Sequence, residues 1–200
     1  GGTAAVLAMR NDLLGLRKNN AELAAVDADF LHLLSSWFNP GFLRLERVDW
    51  QSSAALLEKL IEHEAVHEIR GWGDLRRRVQ PDRRCYAFFH PQLPGEPLIF
   101  VEIALVDGMA DAVAPLIESE PQVPLSENAK TAVFYSISNC QPGLRGVSLG
   151  NFLIKKVADQ LSSELPQLKT FCTLSPVPGF TRWLAATPDK KDAWSGARTR

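Results

Sequence analysis

The sequence predicts a mixed α+β layer fold, and three observations predict it. Apolar residues recur at helical spacing in some stretches, while other stretches alternate or run continuously apolar, as strands do. From residue 42 onward these stretches follow the order strand, helix, helix, strand, strand, helix or loop, strand, loop, helix, strand, helix. A glycine-rich stretch, Gln141-Pro142-Gly143-Leu144-Arg145-Gly146-Val147-Ser148-Leu149-Gly150, then joins the β-branched run 132–137 to a helical segment.

Taken in order, residues 3–37 carry Val6, Met9, Leu13, Leu14, Leu16, Leu23, Val26, Phe30, Leu33 and Leu34 at near-helical intervals. The interruption around 15–20 makes this two helices. Asn39-Pro40-Gly41 ends them, because the ring of Pro40 disfavours helical geometry at Asn39 and Gly41 suits a turn. A domain boundary falls here. Residues 42–50 alternate apolar and charged side chains over their middle, the period of a half-exposed strand. Ser52 or Ser53 caps the next helix, whose stripe is Leu56, Leu57, Leu60, Ile61 and Ala65. A second helix over 74–79 is ended by Pro81. Residues 84–89 and 98–105, joined through Pro91-Gln92-Leu93-Pro94-Gly95-Glu96-Pro97, read as an antiparallel hairpin. A helix over about 109–118 and a polar loop through Asn128 lead to the strand before the glycine loop. Leu149, Phe152, Leu153, Val157 and Leu161 stripe a helix over 150–164; a strand over 168–174 follows, and Pro176-Val177-Pro178-Gly179 turns the chain into Phe180. Residues 187–200 are polar and poorly patterned. Trp37, Phe38, Phe42 and Trp50 are read as core and domain packing.

Composition narrows the function. Two hundred residues with 46% hydrophobic content can bury a core. A formal charge of −1 argues against a nucleic-acid partner held by overall phosphate neutralisation. Cys85, Cys140 and Cys172 are an odd, widely spaced set without a Cys-x-x-Cys pair, which indicates neither a disulfide framework nor a zinc cluster and fits a reducing, cytoplasmic compartment. No window approaches the roughly 20 apolar residues that span a bilayer, so no membrane role is expected. His63 and His67 stand four apart, as on one helix face, but no third ligand is in register, so a surface or domain contact is preferred and no metal is expected.

The glycine loop carries the chemistry. At a helix N-terminus several backbone amides stay unpaired, and when a glycine turn aims them into one concavity the helix dipole adds partial positive charge there. The natural occupant is an anion, most often phosphate or pyrophosphate. Such a turn also serves as a plain tight connection, and the loop by itself leaves both readings open.

Arg145-Gly146-Val147-Ser148-Leu149-Gly150 resembles the arginine-x-x-glycine-x-glycine loop with which the GCN5-related acetyltransferase superfamily binds the pyrophosphate of acyl-CoA. Ser148 stands where that superfamily usually has glycine, which is tolerable where the backbone keeps negative φ. The element order also resembles the superfamily's strand, two helices, three strands, helix, strand. A closer resemblance covers nearly the whole chain. Leu34-Ser35-Ser36-Trp37-Phe38-Asn39, Arg77-Arg78-Val79, Arg83-Arg84-Cys85-Tyr86, Pro94-Gly95-Glu96-Pro97-Leu98, Phe134-Tyr135-Ser136-Ile137-Ser138 and Leu174-Ser175-Pro176-Val177-Pro178-Gly179-Phe180, with the glycine loop, resemble the malonyl-CoA decarboxylase family.

That resemblance implies an α+β fold with a GCN5-related acetyltransferase-like mixed sheet flanked by helices. Residues 1–38 would be the remnant of a helical N-terminal domain, and 39–200 a catalytic domain that is C-terminally incomplete. The implied reaction is decarboxylation of malonyl-CoA to acetyl-CoA and CO2, in fatty-acid metabolism. No metal and no organic cofactor are implied, CoA being part of the substrate. A homo-oligomer built through the helical domain is implied as well, with a mitochondrial matrix or peroxisomal setting for a eukaryotic form. Residue by residue, the acyl-CoA loop falls on Arg145, Gly146, Val147, Ser148, Leu149, Gly150 and Asn151, and the active-site serine on Ser175. The family's histidine, from an Asn-Pro-x-x-x-Phe-His segment, has no counterpart, since His32, His63, His67 and His90 all precede the glycine loop. Catalysis by these residues alone therefore stays open.

Loss of CO2 from a malonyl thioester leaves an enolate, so the chemistry needs donors at the thioester oxygen and a proton for carbon. A backbone N–H near 136–139 would face that oxygen, and Ser175 would hydrogen-bond the malonyl carboxylate or relay the proton with the histidine. Without the resemblance, a serine in Leu-Ser-Pro-Val-Pro is a turn residue. Arg76-Arg77-Arg78 with Arg83-Arg84 is read as a solvated face or ion-pair partners, with the CoA 3′-phosphate as the functional alternative. Two other functions share the fold: an acyl-CoA-dependent N-acyltransferase, and a non-catalytic CoA-binding module.

Overall fold

Continuous apolar runs make the inner strands: every residue of β2 (Arg83–Phe89) is buried, and every residue of β3 (Pro97–Val106) except the last. The computed structural model describes residues 1–17, 20–118 and 129–186. With β1 (Arg44–Val48), β4 (Thr131–Asn139) and β5 (Thr170–Thr173), these strands form one five-stranded sheet in the order β1-β2-β3-β4-β5. Neighbours from β1 to β4 are antiparallel, so the expected hairpin of β2 and β3 is present, while β5 lies parallel to β4. A parallel neighbour needs a crossover, and α6 (Gly150–Glu164) supplies it. The fold is α+β, in the element order read from the sequence.

Helices cover both faces of the sheet, which is why its centre is apolar on both. On one face Ile99, Val101, Ile103 and Phe134 meet Leu153, Val157 and Leu161 of α6, together with Leu7 of α1 (Gly2–Arg17) and Leu34 of α2 (Leu23–Trp37). On the other, Cys85, Ala87, Phe89 and Phe100 pack against Leu57 and Leu60 of α3 (Ala54–His63) and Leu75 of α4 (Trp72–Arg78). Local chemistry sets the boundaries. Asn39 accepts the Gly41 amide at 3.0 Å to cap the 3-10 turn Pro40–Phe42. Of the two candidate caps, Ser53 serves α3, accepting the Leu56 amide at 3.3 Å, while Ser52 accepts from the Asp49 amide.

Three expectations are corrected. The helix expected over 109–118 is reduced to α5 (Ala114–Glu118): Leu116 there is the buried apolar residue, Ala110 and Val113 ahead of it are only partly buried, and Met109 is exposed. His67 does not share a helix face with His63: α3 stops at His63 and Glu64 is extended. Phe38 is fully buried, but Trp37, Phe42 and Trp50 are exposed. Trp50 sits edge-on to Trp72, with the Arg76 guanidinium 5.5 Å from its ring centre. The polar loop ahead of β4 and the polar stretch after residue 186 lie outside the described residues. A last helix, α7 (Phe180–Ala186), follows the Pro176 turn.

Candidate functional site

The glycine loop is built backward from its two ends. At its start, the Cys140 amide continues the ladder to the Leu98 carbonyl at 2.9 Å, and Gln141 donates its side-chain amide to the Pro97 carbonyl. A 3-10 turn, Pro142–Leu144, follows. Gly146 then takes a positive φ of 89°, a conformation that costs an L side chain about 1–2 kcal/mol. That reversal lets Val147 bond back to the Leu144 carbonyl and drops Leu149 into the core, 2% exposed, where it anchors the start of α6.

Between those anchors the amides of Gly146, Ser148, Gly150, Asn151 and Phe152 make no hydrogen bond among the described residues, and no side chain caps α6. Arg145, Gly146, Ser148 and Asn151 are exposed; Val147 and Gly150 are half-buried. Arg145 has no carboxylate partner among the described residues. A cleft of about 590 Å3 separates Arg145 and Pro142 from Asn11, Asp12 and residues 14–16 of α1. Unpaired amides at the N-terminus of a 15-residue helix, beside an unpaired guanidinium, bring together donors and positive charge, the chemistry that suits an anion.

Ser175 reaches the same end of the sheet by another route. Strands β4 and β5 are parallel, so the loop after β4 and the residues after β5 leave the sheet on one side, the side where open sheets with parallel strands bind ligands. Pairing runs from Thr131↔Thr170 to Phe134↔Thr173, and the Leu174 amide adds one bond to the Phe134 carbonyl. Beyond it β4 continues to Asn139 beside β3 alone. A bulge sits at this parting: Glu102 faces Ser136 and Ile103 faces Phe134, leaving Tyr135 as the extra residue. Ser175 is exposed, and its hydroxyl has no partner among the described residues.

A polar cluster not singled out in the sequence lies beside this parting. Glu64, just past α3, accepts hydrogen bonds from the Ser136 hydroxyl at 2.7 Å, the Ser138 hydroxyl at 3.0 Å and the amides of Val66 and His67. Ser138 also accepts from the Ala65 amide. No spacing signal links these groups, because the partners are 72 and 74 residues apart.

Apart from Arg76, which lies over the Trp50 ring, the basic cluster pairs with carboxylates. Arg78, 1% exposed, donates to Asp74, to Glu102 at 3.0 Å and to the Glu68 carbonyl. Arg77 and Arg83 bond Asp82, and Arg84 bonds Glu164. Burial pushes the Glu102 carboxyl up to about 8, against the pull of Arg78. Burial also acts to raise Asp74, but hydrogen bonds from Arg78 and the Arg70 amide outweigh it and hold that carboxyl below its usual value. Buried Tyr135 leaves its hydroxyl without a partner among the described residues, as do Glu102 Oε1 and His67 Nε2. Arg78, Arg83 and Arg84 are thus committed to the fold, and Arg145, exposed within the loop, has no carboxylate partner among the described residues.

Known proteins resemble this chain over most of its length. Residues 41–198 match the sequence model of the malonyl-CoA decarboxylase C-terminal domain, and residues 1–38 that of the malonyl-CoA decarboxylase N-terminal domain. The chain is 49% identical over 155 residues to the mitochondrial malonyl-CoA decarboxylase of Anser anser anser, covering 76% of this chain and 31% of that protein. With the mitochondrial enzyme of Mus musculus it shares 42% over 190 residues, 92% of this chain and 39% of the other. Crystal structures of malonyl-CoA decarboxylase from Rhodopseudomonas palustris and Agrobacterium vitis, each 54% identical, superpose with TM-scores of 0.86 and 0.88. They cover 94% and 96% of this chain, which spans 46% and 47% of theirs. The chain thus spans less than half the length of these relatives. With the C-terminal domain model matched over 41–198 and the fold shared at this identity, the chain belongs to the malonyl-CoA decarboxylase family.

Proposed function

We propose that this chain binds malonyl-CoA through residues 145–151 and presents Ser175 to its acyl end, as the acyl-CoA-binding part of a malonyl-CoA decarboxylase. The observation that carries the reading is the set of unpaired amides at Gly146, Ser148, Gly150 and Asn151, beside an unpaired Arg145, at the end of the sheet where β4 and β5 part. Four donors and a guanidinium suit a pyrophosphate, whose charge and acceptor count match them.

From that anchor the acyl arm would run along the open edge of β4. Breaking the carbon–carbon bond releases CO2 and leaves its electron pair as an enolate, which a backbone N–H on 136–139 would stabilise at the thioester oxygen; a proton on carbon then gives acetyl-CoA. The Ser175 hydroxyl would bond the malonyl carboxylate or pass that proton, with a histidine supplied from outside these 200 residues. Affinity at the pyrophosphate aids the step only by holding the reacting end in place. CoA arrives with the substrate, so the reading needs no further organic cofactor. Self-association through the helical segment belongs to it as well, supported by exposed Met9, Leu16, Val26 and Leu33 on α1 and α2. So does a cytoplasmic setting, or a mitochondrial or peroxisomal one in a eukaryote; two relatives are named as mitochondrial.

Calorimetric titration of acetyl-CoA into the chain tests the binding half. Saturable one-to-one binding is expected, and heats of dilution alone would overturn it.

A further inference from the structure

We infer that the two N-terminal helices hold the glycine loop in its anion-binding shape, with Arg10 and Asp27 as the positioning residues, so that loop occupancy and helix docking are linked. Arg10 lies on α1 and is 2% exposed. Its Nη1 donates to the Gly143 carbonyl at 2.6 Å, and its Nε to Asp27 Oδ1 at 3.0 Å. Asp27, on α2 and itself buried, takes a second bond from Arg17. A buried guanidinium persists only when paired. Here its charge is met within the helical pair, and a remaining donor is spent on the loop.

Two further contacts set the helices against the loop. A Cβ at Gly143 would stand 2.3 Å from the Leu7 carbonyl oxygen, so the two backbones touch and only glycine fits. A Cβ at Gly146 would lie 3.4 Å from Leu31 of α2. Leu7, Leu34 and Phe38 also share a core with Leu144 and Leu149. The loop that carries the unpaired amides is therefore held by the two helices. A pre-shaped loop spends nothing on ordering when it binds, and one released by the helices spends part of its affinity. Linkage makes the effect mutual: whatever grips the helices shifts acyl-CoA affinity, and acyl-CoA tightens the helices.

The ligand arm of this inference rests on the acyl-CoA reading; the positioning arm does not. Hydrogen exchange and CoA calorimetry on wild type, Arg10→Met and Arg10→Lys test both. In folded Arg10→Met, exchange of the bonded loop amides of Leu144, Arg145, Val147 and Leu149 is expected to quicken about tenfold or more while 83–106 keeps its rate, and the CoA dissociation constant to rise within the roughly 5- to 150-fold range of such couplings. Arg10→Lys keeps the charge but cannot span both partners, and should fall between. It decides the matter on the same readouts if Arg10→Met does not fold. Saturating CoA should slow exchange over 2–17 in wild type. A role in stability alone would lower the melting temperature and leave local exchange and affinity unchanged, which overturns the inference. Quickened loop exchange with no CoA binding by wild type would sink the acyl-CoA reading and leave the positioning role standing.

Discussion

The Leu174 amide donates to the Phe134 carbonyl at 2.9 Å, and past that rung β4 and β5 share no hydrogen bond among the described residues. The next residue on one strand is Ser175, and on the other the bulged Tyr135. A single bond thus marks where two parallel strands separate, with a hydroxyl at the mouth of the gap and unpaired loop amides at the same end of the sheet.

Ser175→Ala removes only that hydroxyl. In a polypeptide of the relatives' full length, acetyl-CoA formation from malonyl-CoA should fall roughly a hundred- to ten-thousand-fold, the range for a positioned acid–base group, with CoA affinity nearly unchanged. Product assays beside calorimetry check both parts, and unchanged turnover would take Ser175 out of the mechanism.

Gly146→Val places a β-branched side chain at φ 89°, with its Cβ against Leu31. The strain should lower stability by about 1–2 kcal/mol and, by turning the amides, raise the CoA dissociation constant about tenfold or more. Denaturant unfolding and calorimetry measure the two effects; normal affinity would count against the loop.

Glu102 gives a pH signature. Its carboxyl sits at about 8 in the fold and ordinarily at 4.5, so between those values the native chain holds a proton that the unfolded chain has lost. Stability on this account is fully present below about 4.5 and declines as pH rises toward 8. Asp74 and Glu164, whose carboxyls are lowered, act the other way and below that window. Urea midpoints from pH 5 to 8 should therefore fall less in Glu102→Gln than in wild type. Parallel curves would show that Glu102 stays ionised beside Arg78.

What was legible in the sequence is what repeats locally. Leu149, Leu153, Val157 and Leu161 announce α6 by spacing alone, and all four are buried. The hairpin of β2 and β3 was readable from its apolar runs, and the loop from its glycines, although only Gly146 among Gly143, Gly146 and Gly150 needs a positive φ. Long-range polar bonds left no such trace. Arg10 finds the Gly143 carbonyl across 133 residues, and Glu64 finds Ser136 across 72. The second pairing also explains why His67 missed the helix face: Glu64 turns off α3 to bind two serines of β4 and the amides of Val66 and His67. Trp37 and Phe42 looked like core because they are large, but the faces they occupy are exposed.

The most direct test is a nitrogen–proton correlation spectrum of the labelled chain titrated with CoA. The amides of Gly146, Ser148, Gly150 and Asn151 should shift together and saturate at one dissociation constant, and pyrophosphate should move the same signals more weakly. Saturable binding with those four signals unmoved, or with the shifts gathered around α4, would contradict the account.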